Sequence, residues 1–391
     1  MDFLKRTWAE IDLDALEENY FSIRAHVKKG CKAMCIVKAD AYGHGAVQVA
    51  ETLARCGAEW FGVSNIEEAA QLRQHGIIQP IFVLGYTPPE CAKQLSALSL
   101  TQAIFSEDYA EKLSRCAQDG GVAVDTHIKI DTGMNRMGLI FQAHDQRAET
   151  IRSVERMVHL PALNHTGLFT HFAVSDEGEA GEEFTRSQYA CFVAVRDALA
   201  EKGITFPLCH CCNSGAILAY PDMHFDMVRP GITLYGLYPS PSLTEILPLK
   251  PVMTLKSVAA HLKAVCSGGT VSYGRTYPIE TAMTLATVPV GYADGYPRAF
   301  SGKADMLIGG RRAKIVGRVC MDQLMLDVTG IPNLTVGDEI TVFGAGLPVD
   351  ELARLHDTIN YELVCLVGKR VSRIYMRSGV PVGVMNGLLD G

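Results

Sequence analysis

The chain has 391 residues, of which 48% are hydrophobic and 20% charged, a composition typical of a soluble globular protein and not of a disordered or fibrous one. Its length favours two domains, and no apolar run approaches the roughly 20 residues of a membrane-spanning helix. The 36 basic and 43 acidic residues give a formal net charge of −7, which argues against binding to nucleic acid or to anionic membranes.

The N-terminal residues and the cysteines bear on the cellular compartment. Charges at Lys5, Arg6 and Glu10 leave no room for the apolar segment of a signal peptide, so we expect a cytoplasmic protein. Most of the twelve cysteines are scattered through apolar runs and are expected to be buried thiols. The run Cys209–Cys212 includes His210, but no second ligand pair at zinc-finger spacing accompanies it, and we predict no metal site.

Residues 1–240 alternate between short apolar strands and helical stretches. The predicted strands are Ala33–Lys38, Glu59–Val63, Pro80–Leu84, Thr101–Phe105, Val124–Ile130, His165–Thr170, Phe206–Cys211 and Asp226–Leu234. Helical periodicity is clear over Ile66–Gln74 and Tyr109–Ala117. Eight strands in this alternation predict an α/β fold, a parallel (β/α)8 TIM-type barrel, with a doubly wound open sheet as the alternative.

The pattern changes after Tyr238. Four prolines crowd residues 239–251 and indicate a domain boundary. Short strands and glycine-rich turns follow, with predicted strands at Thr254–Ala264, Met283–Val290, Ala304–Ile308, Ala313–Val319, Leu324–Val328, Glu339–Phe343 and Val371–Tyr375. One short helix, Val349–Leu355, interrupts them. We therefore predict a C-terminal mainly-β domain over residues 241–391.

Ionisable residues cluster after the predicted barrel strands, where the active sites of such barrels lie. Lys38 follows an uninterrupted apolar strand, where burial can lower the pKa of its amine and make it nucleophilic. A lysine that only ends a strand and reaches into water is an equally good interpretation. Asn213-Ser214-Gly215 and the backbone at Gly231 and Ile232 are candidates for phosphate binding, or an ordinary helix cap and turn. On their own, Tyr273, Tyr292, Tyr361, Met321 and Asp322 are better explained as ordinary turn and strand residues.

Taken together, these segments resemble alanine racemase, an enzyme that depends on pyridoxal 5'-phosphate (PLP) and combines a barrel with a β domain. The matching segments, in chain order, are Thr7–Asp12, Val37–Gly45, Lys129–Met134 with Arg136, Thr170–Phe172, His210 with Asn213 and Ser214, Val228–Gly236, Val271–Tyr277, Gly291–Gly295, Gly317–Gln323 and Asn360–Glu362. Asp40 departs from the asparagine found in many relatives.

The resemblance implies a role for each matching residue. Lys38 would hold PLP as a Schiff base, Arg229 would meet the pyridine nitrogen and Arg136 the phenolic oxygen. The residues that would contact the phosphate are Tyr42, Ser214, Gly231, Ile232 and Tyr361, and the cofactor-binding set also includes His171 and Asn213. The substrate would meet Arg136, Met321 and, at the entrance, Tyr292. The supporting residues would be Lys129, which is carbamylated in some members, His210 and Asp322.

Racemisation removes a proton from one face of the α-carbon and returns one to the other, which two bases do more simply than one. The resemblance implies Lys38 on one face and Tyr273, from the partner subunit of a homodimer with shared active sites, on the other. We therefore predict interconversion of L- and D-alanine, supplying D-alanine for peptidoglycan.

Three other functions remain at this stage. A serine or broad-specificity amino-acid racemase of the same fold is the first alternative. A barrel-type decarboxylase would pair the pyridine nitrogen with an acid, and here that position is Arg229. A PLP homeostasis protein would resemble the barrel alone, without the β domain that carries Tyr273 and Met321.

Overall fold

The computed structural model describes residues 3–142 and 144–390. The described chain begins with strand β1 (Thr7–Asp12) and helix α1 (Leu13–His26). It divides into two compact units. One contains Glu17–Ala41 and Ala46–Leu249, and the other contains the N-terminal residues up to Leu16, Tyr42–Gly45 and the chain from Lys250 onward.

The first unit contains a parallel barrel. Its strands are β2 (Lys32–Ile36), β3 (Trp60–Val63), β4 (Ile81–Val83), β5 (Leu100–Ile104), β6 (Val124–Asp131), the two-residue β7 (Leu139–Ile140), β8 (Leu163–Phe169), β9 (Leu208–His210) and β10 (Met227–Val228). Apart from β7, which pairs only with β6, they follow one another around the barrel in chain order, and β10 pairs with β2. Two backbone hydrogen bonds join the residues on either side of β10 to β9 and the segment after it, from Asp226 N–H to the Cys209 carbonyl and from Arg229 N–H to the Cys212 carbonyl. These contacts nearly close an eight-stranded barrel.

Helices connect the barrel strands. They are α2 (Lys38–Gly43), α3 (Ala46–Arg55), α4 (Ile66–Gln74), α5 (Ala92–Ala97), α6 (Glu107–Gly120), α7 (His144–Met157), α8 (Glu179–Ala200) and α9 (Ser214–Ala219). The Asn65 side chain accepts a hydrogen bond from Glu68 N–H at the start of α4, and Ser106 caps α6 in the same way. Because helices cover the barrel, strands such as β4 are buried along their whole length and read as continuous apolar runs.

The second unit is built on a ten-stranded sheet. Its later strands are β11 (Met253–Val258), β12 (His261–Val265), the short pair β13 (Thr270–Val271) and β14 (Tyr277–Pro278), β15 (Met283–Val288), β16 (Asp305–Ile308), β17 (Arg311–Ile315), β18 (Leu324–Asp327), β19 (Glu339–Phe343), β20 (Ser372–Arg377) and β21 (Val380–Met385). The sheet order is β12-β15-β18-β17-β16-β19-β11-β1-β20-β21, and β13 pairs only with β14. Two helices, α10 (Val349–Leu355) and α11 (Asn360–Cys365), complete the unit.

The barrel and the mainly-β unit confirm the predicted fold class, and every predicted barrel strand is present. The eighth differs in extent, because after β10 the chain turns at Pro230 and forms the 3-10 helix Ile232–Tyr235. The segment Thr254–Ala264 is two strands, β11 and β12, separated at Ala259 and Ala260, which carry none of the glycine or proline signals that mark turns. Several elements had no prediction, among them β1, α11, β21 and the two-residue strands β7, β13 and β14.

Candidate active site

The polar residues expected at the barrel rim do lie at the carboxyl ends of its strands. Lys38 begins α2 two residues after β2, Lys129 lies on β6, and His171 follows β8. His210 is the last residue of β9 and Arg229 comes directly after β10. Because all eight strands are parallel, these ends share one rim of the barrel.

The turn that follows Lys38 has an unusual backbone. Ala39, Asp40, Ala41 and Tyr42 have φ angles of 52 to 55°, so α2 is one turn of left-handed helix. Left-handed conformation costs non-glycine residues about 1–2 kcal/mol each. Conformations of this kind persist where surrounding contacts hold them, and they concentrate at functional sites.

Side-chain carboxylates hold the backbone on both sides of this turn. Glu68 accepts the Ala39 N–H at 2.8 Å with one oxygen and the Ser64 N–H at 2.7 Å with the other. Asp40 accepts the Ala46 N–H at 2.8 Å, at the first residue of α3. The aspartate that departs from the family's usual asparagine therefore retains an acceptor at this position.

Arg229 is buried and held by four acceptors. Its Nη1 donates to His210 Nδ1 at 2.7 Å, and its Nη2 lies 3.2 Å from His171 Nδ1. Nη2 also donates to the carbonyls of Thr170 at 2.8 Å and Cys211 at 2.9 Å. All four acceptors are uncharged. Burial lowers the pKa of Arg229 to about 10, so the guanidinium stays protonated at neutral pH.

The two histidines beside Arg229 are neutral. Burial, and then the charge of Arg229, lowers the pKa of both His171 and His210 well below the ordinary value. His210 also stacks on Phe169, with ring centroids 5.0 Å apart and planes 6° apart. A neutral imidazole can accept from Arg229, which an imidazolium cannot do.

Lys129 lies in a positively charged environment. Burial, followed by the charges of Arg136, Arg229 and Lys38, lowers its pKa to about 8, against an opposing effect of Asp131. Its Nζ lies 5.7 Å from the centre of the Phe169 ring. The amine of Lys129 is therefore partly neutral near physiological pH.

Asp131 orders the loop that leads to Arg136. Its Oδ1 accepts the N–H of Gly133 at 2.9 Å and that of Asn135 at 3.1 Å. Asn135 has a φ angle of 53°, a left-handed conformation that asparagine adopts more readily than most residues. The two bonds set the backbone immediately before Arg136.

Ser214 connects the two candidate phosphate segments. Its hydroxyl accepts the N–H of Gly231 at 2.9 Å and hydrogen bonds with the Thr233 hydroxyl at 3.2 Å. Asn213 caps α9 by accepting the Ala216 N–H at 3.0 Å, and Ser175 donates to the same oxygen at 2.7 Å. The starts of α9 and of the 3-10 helix at Ile232 are thus joined through one serine.

In the β unit, three candidate side chains are exposed. Tyr273 is 73% exposed, Met321 52% and Tyr292 43%. Tyr273 lies in a short turn, Tyr273–Arg275, where the preceding Ser272 has a φ angle of 69°. The Ser272 hydroxyl donates to the Arg318 carbonyl at 2.9 Å and ties this turn to the chain before Met321.

The turns carrying Tyr292 and Met321 are hydrogen bonded to each other. Tyr292 N–H donates to the Cys320 carbonyl at 3.1 Å, and Ala293 N–H to the Met321 carbonyl at 3.0 Å. Glycine is required at 291, because a Cβ there would lie 2.3 Å from the Cys320 oxygen. Asp322, expected as a supporting residue, pairs with Arg370 at 2.8 Å.

Tyr42 and Tyr361 lie close together in this unit. Their ring centroids are 6.0 Å apart with planes at 52°, and burial raises the pKa of the Tyr42 phenol. The contact brings together two of the residues expected to meet a phosphate.

Comparison with known proteins identifies the family. The alanine racemase N-terminal domain model matches residues 11–239, and the C-terminal domain model matches residues 252–375. An alanine racemase from Desulfovibrio desulfuricans is 45% identical over 377 residues, covering 96% of this chain and all of the relative.

The chain belongs to the alanine racemase family.

Solved structures of alanine racemases support this family assignment. The alanine racemase of Clostridium difficile 630 superposes with a TM-score of 0.94 at 38% identity, covering 99% of this chain and 100% of that one. Another structure, described as that enzyme in complex with cycloserine, gives a TM-score of 0.92 at 37% identity, with coverage of 99% and 100%.

The activity of the chain is the interconversion of L- and D-alanine, and the enzyme is an isomerase. None of the comparisons favours a serine or broad-specificity racemase. Because both domain models match, the likeness extends beyond the barrel that a PLP homeostasis protein would share.

Two further findings concern membranes and metals. Within residues 3–142 and 144–390, no helix combines the length and apolar character needed to cross a bilayer. The same residues include no cluster of three or more His, Cys, Asp or Glu side chains suited to a metal ion. In the Cys209–Cys212 run, the thiols of Cys211 and Cys212 both donate to the Met223 carbonyl at 3.3 Å.

Sequence reasoning missed Asp294, a buried carboxylate in the turn of Tyr292. It accepts both Arg6 Nη1 at 2.9 Å and Nη2 at 3.0 Å, and its Oδ2 also accepts the N–H of Gly291 at 3.0 Å. The sequence does show an acidic residue between Gly291 and Gly295, in a segment that matches the family. Its importance was not evident, because the partner of Asp294, Arg6, is 288 residues away in the chain.

Proposed function

We propose that the barrel binds PLP through Lys38 and that Arg229 meets the pyridine nitrogen. The observation that carries the proposal is Arg229, a buried cation whose four acceptors are all neutral. Such a guanidinium can donate a further hydrogen bond to a ring nitrogen, and it resists giving that nitrogen a proton. When bound, PLP withdraws electrons and makes the Cα–H bond of an attached amino acid acidic.

The charges around Lys129 also fit an anionic cofactor. Lys38, Arg136 and Arg229 all act on Lys129, and Asp131 is the acid that opposes them. A phosphate and a phenolic oxygen would compensate this surplus of positive charge. We propose that Ser214, Gly231, Ile232, Tyr42 and Tyr361 hold the phosphate, with Asn213 and His171 beside the cofactor and Arg136 at the phenolic oxygen. The hydrogen bond between Ser214 and Gly231 supports this assignment.

Two bases would move the proton. In the proposal, the amine of Lys38 serves one face of the α-carbon and the phenol of Tyr273 serves the other. Arg136 and Met321 would hold the substrate carboxylate, and Tyr292 would line the entrance. His210 would support Arg229, and Asp322 would support the turn of Met321.

Tyr273 would act in the active site of a partner subunit. Its 73% exposure and the 52% exposure of Met321 leave both side chains available to a second copy of the chain. A homodimer with shared sites would use these surfaces symmetrically. We propose residues 1–240 as the cofactor-binding domain and residues 241–391 as the domain that supplies Tyr273.

The proposed physiological role is to supply D-alanine for peptidoglycan in the cytoplasm. All twelve cysteines lie within the described residues and are not joined in disulfides there, which agrees with a reducing compartment.

Incubation of the PLP-loaded protein with L-alanine or with L-serine, followed by chiral chromatography, tests the function. We expect rapid formation of D-alanine and little D-serine, since alanine is the substrate named by the relatives. Comparable rates for the two would contradict alanine specificity and establish a broad-specificity racemase. Bound PLP without racemisation of either amino acid would refute the proposed mechanism.

Replacing Arg229 with Glu is expected to lower the racemisation rate by about 10²-fold or more, the scale on which loss of one electrostatic donor slows catalysis. The carboxylic acid would favour a protonated pyridine nitrogen, strengthening electron withdrawal and side reactions. The share of turnovers ending in transamination, measured as pyruvate per D-alanine, should therefore rise. Arg229→Lys, which keeps the positive charge, is the control. An unchanged product ratio in Arg229→Glu would overturn the role of Arg229.

We further propose that Lys129 is carbamylated in the working enzyme. Its lowered pKa, about 8, leaves part of the amine neutral and able to react with carbon dioxide. Carbamylation would replace the buried positive charge of Lys129, which lies among other cations, with a negative charge beside Arg136.

Replacing Lys129 with Met tests the charge balance in cofactor-free protein. In carbon dioxide-free buffer at pH 7, the variant is expected to be more stable by about 1–3 kcal/mol, since the shift from 10.5 to about 8 is a cost of charging Lys129 in the folded state. Wild-type stability should rise with pH between 8 and 10.5, where the unfolded lysine binds a proton that the folded one has lost.

The difference in stability between Lys129→Met and the wild type should accordingly shrink between pH 8 and 10.5. Urea unfolding at several pH values measures it. A stability difference that does not depend on pH would contradict the buried charge. Adding bicarbonate at pH 8 should stabilise the wild type and leave Lys129→Met unaffected, and an equal response of both would refute the carbamate.

A further inference from the structure

Behind His210, deeper in the barrel, lies a second buried histidine that the proposed function does not use. His127 is on β6, two residues before Lys129, so both side chains point to the same face of the strand. Its Nδ1 is 3.0 Å from Nε2 of His210. Arg229, His210 and His127 therefore form one continuous chain of hydrogen bonds.

The proton positions along this chain follow from Arg229. A guanidinium only donates, so Nδ1 of His210, at 2.7 Å from Nη1, carries a lone pair. Because His210 is neutral, its proton is on Nε2 and is donated to Nδ1 of His127. Burial and the charge of Arg229 lower the pKa of His127 to about 3, so it too is neutral and carries its proton on Nε2.

The packing around His127 preserves this arrangement. The ring lies 4.7 Å from Phe82 and 5.7 Å from Trp60, centroid to centroid. Its Nε2 finds no hydrogen-bond acceptor among the described residues. Among the described residues, the hydrogen-bond partner of His210 Nε2 is Nδ1 of His127.

The backbone opposite His127 is adapted to the imidazole. The register between β6 and β8 shifts here, with Thr126 opposite His165 and His127 opposite Gly167. A Cβ on Gly167 would lie 2.5 Å from Cγ of His127. A β-bulge and a glycine thus provide the space that the ring occupies.

We propose that His127 is a positioning residue that fixes the tautomer of His210 and thereby the direction of the Arg229 guanidinium. With an acceptor at 127, His210 keeps its proton on Nε2 and turns a lone pair toward Arg229. Without that acceptor, the Nε2 proton of His210 is buried without a partner, and the other tautomer places a proton against Nη1 of Arg229. The tautomer follows from contacts within the barrel, whereas its effect on racemisation rests on the function proposed for Arg229.

Three variants at one position separate this role from simple packing. His127→Asn places an oxygen near the position of Nδ1. His127→Leu has nearly the same shape as the asparagine variant but no hydrogen-bond acceptor. His127→Gln is polar but carries its oxygen further out, and it keeps the test decisive if the apolar variant does not fold. The first measurement is made on cofactor-free protein with ¹⁵N-labelled histidine, by nuclear magnetic resonance of the ring nitrogens, which identifies the tautomer.

We expect His210 to be protonated on Nε2 in the wild type and in His127→Asn, and to change tautomer or exchange between tautomers in His127→Leu and His127→Gln. In the PLP-loaded enzyme, kcat/KM for L-alanine should fall about tenfold or more in those two variants and remain within about threefold in His127→Asn. An unchanged tautomer of His210 in both variants that lack the acceptor, or an equal loss of kcat/KM in all three, would overturn the proposal.

The Arg229→Glu variant, studied in parallel, keeps the two proposals distinguishable. If it leaves the product ratio unchanged, the function proposed for Arg229 fails, while a tautomer change in His127→Leu still supports the chain of hydrogen bonds. If the tautomer does not respond while Arg229→Glu behaves as expected, the role of His127 fails alone.

Discussion

Lys38→Ala is expected to lower the rate of racemisation by about 10⁴-fold or more. The amine has two proposed functions, attachment of the cofactor and proton transfer at one face of the α-carbon, and loss of a positioned acid–base group alone costs 10²–10⁴-fold. The left-handed turn that begins at Lys38, with the Ala39 N–H held by Glu68, would keep the amine in a constant position. Chiral chromatography of L-alanine after incubation with the PLP-saturated variant measures the loss.

Lys32→Ala is the matched control for this variant. Lys32 is the first residue of the same strand, and its side chain is exposed. Both variants should melt within a few degrees of the wild type, because neither removes a core side chain. Substantial racemisation by Lys38→Ala, or a comparable loss in Lys32→Ala, would refute the role of Lys38.

The second large effect is expected for Tyr273→Phe, which should lower racemisation by about 10²–10⁴-fold in both directions. The substitution keeps the ring and removes only the phenolic oxygen from an exposed side chain, so stability should not change. Because Lys38 remains, the variant should still exchange the α-hydrogen of one alanine enantiomer with deuterated water without inverting it. Mass spectrometry of each recovered enantiomer measures that exchange.

Tyr277→Phe, on β14 at the other end of the same turn, is the control and should remain active. Mixing subunits of Lys38→Ala with subunits of Tyr273→Phe tests whether the sites are shared. Random re-association should restore about a quarter of wild-type activity, because each mixed dimer would contain one intact site. Exchange of both enantiomers in Tyr273→Phe would contradict the two-base mechanism, and the absence of any restored activity would contradict shared sites.

The prediction of the barrel from sequence succeeded because its strands follow one another in chain order. The alternation of apolar strand and helix is a local signal, and it places the ends of all the strands at one rim without knowledge of distant contacts. The residues at these ends are Lys38, Lys129, His171, His210 and Arg229. The β unit was harder. Strand β1 lies between β11 and β20, partners more than 240 residues away, and six residues of a strand carry no information about such pairing.

The sequence by itself determined the fold class, the order of the barrel strands and the residue types at their ends, because local periodicity and strand polarity depend on neighbouring residues. The tertiary structure decided the properties of the site. The pKa of Lys129, the neutral acceptors of Arg229 and the tautomers of His210 and His127 depend on burial and on charges brought together from different strands. The left-handed turn after Lys38 likewise has no local cause in Ala39, Ala41 or Tyr42, since alanine and tyrosine disfavour that conformation and contacts such as those of Glu68 hold it.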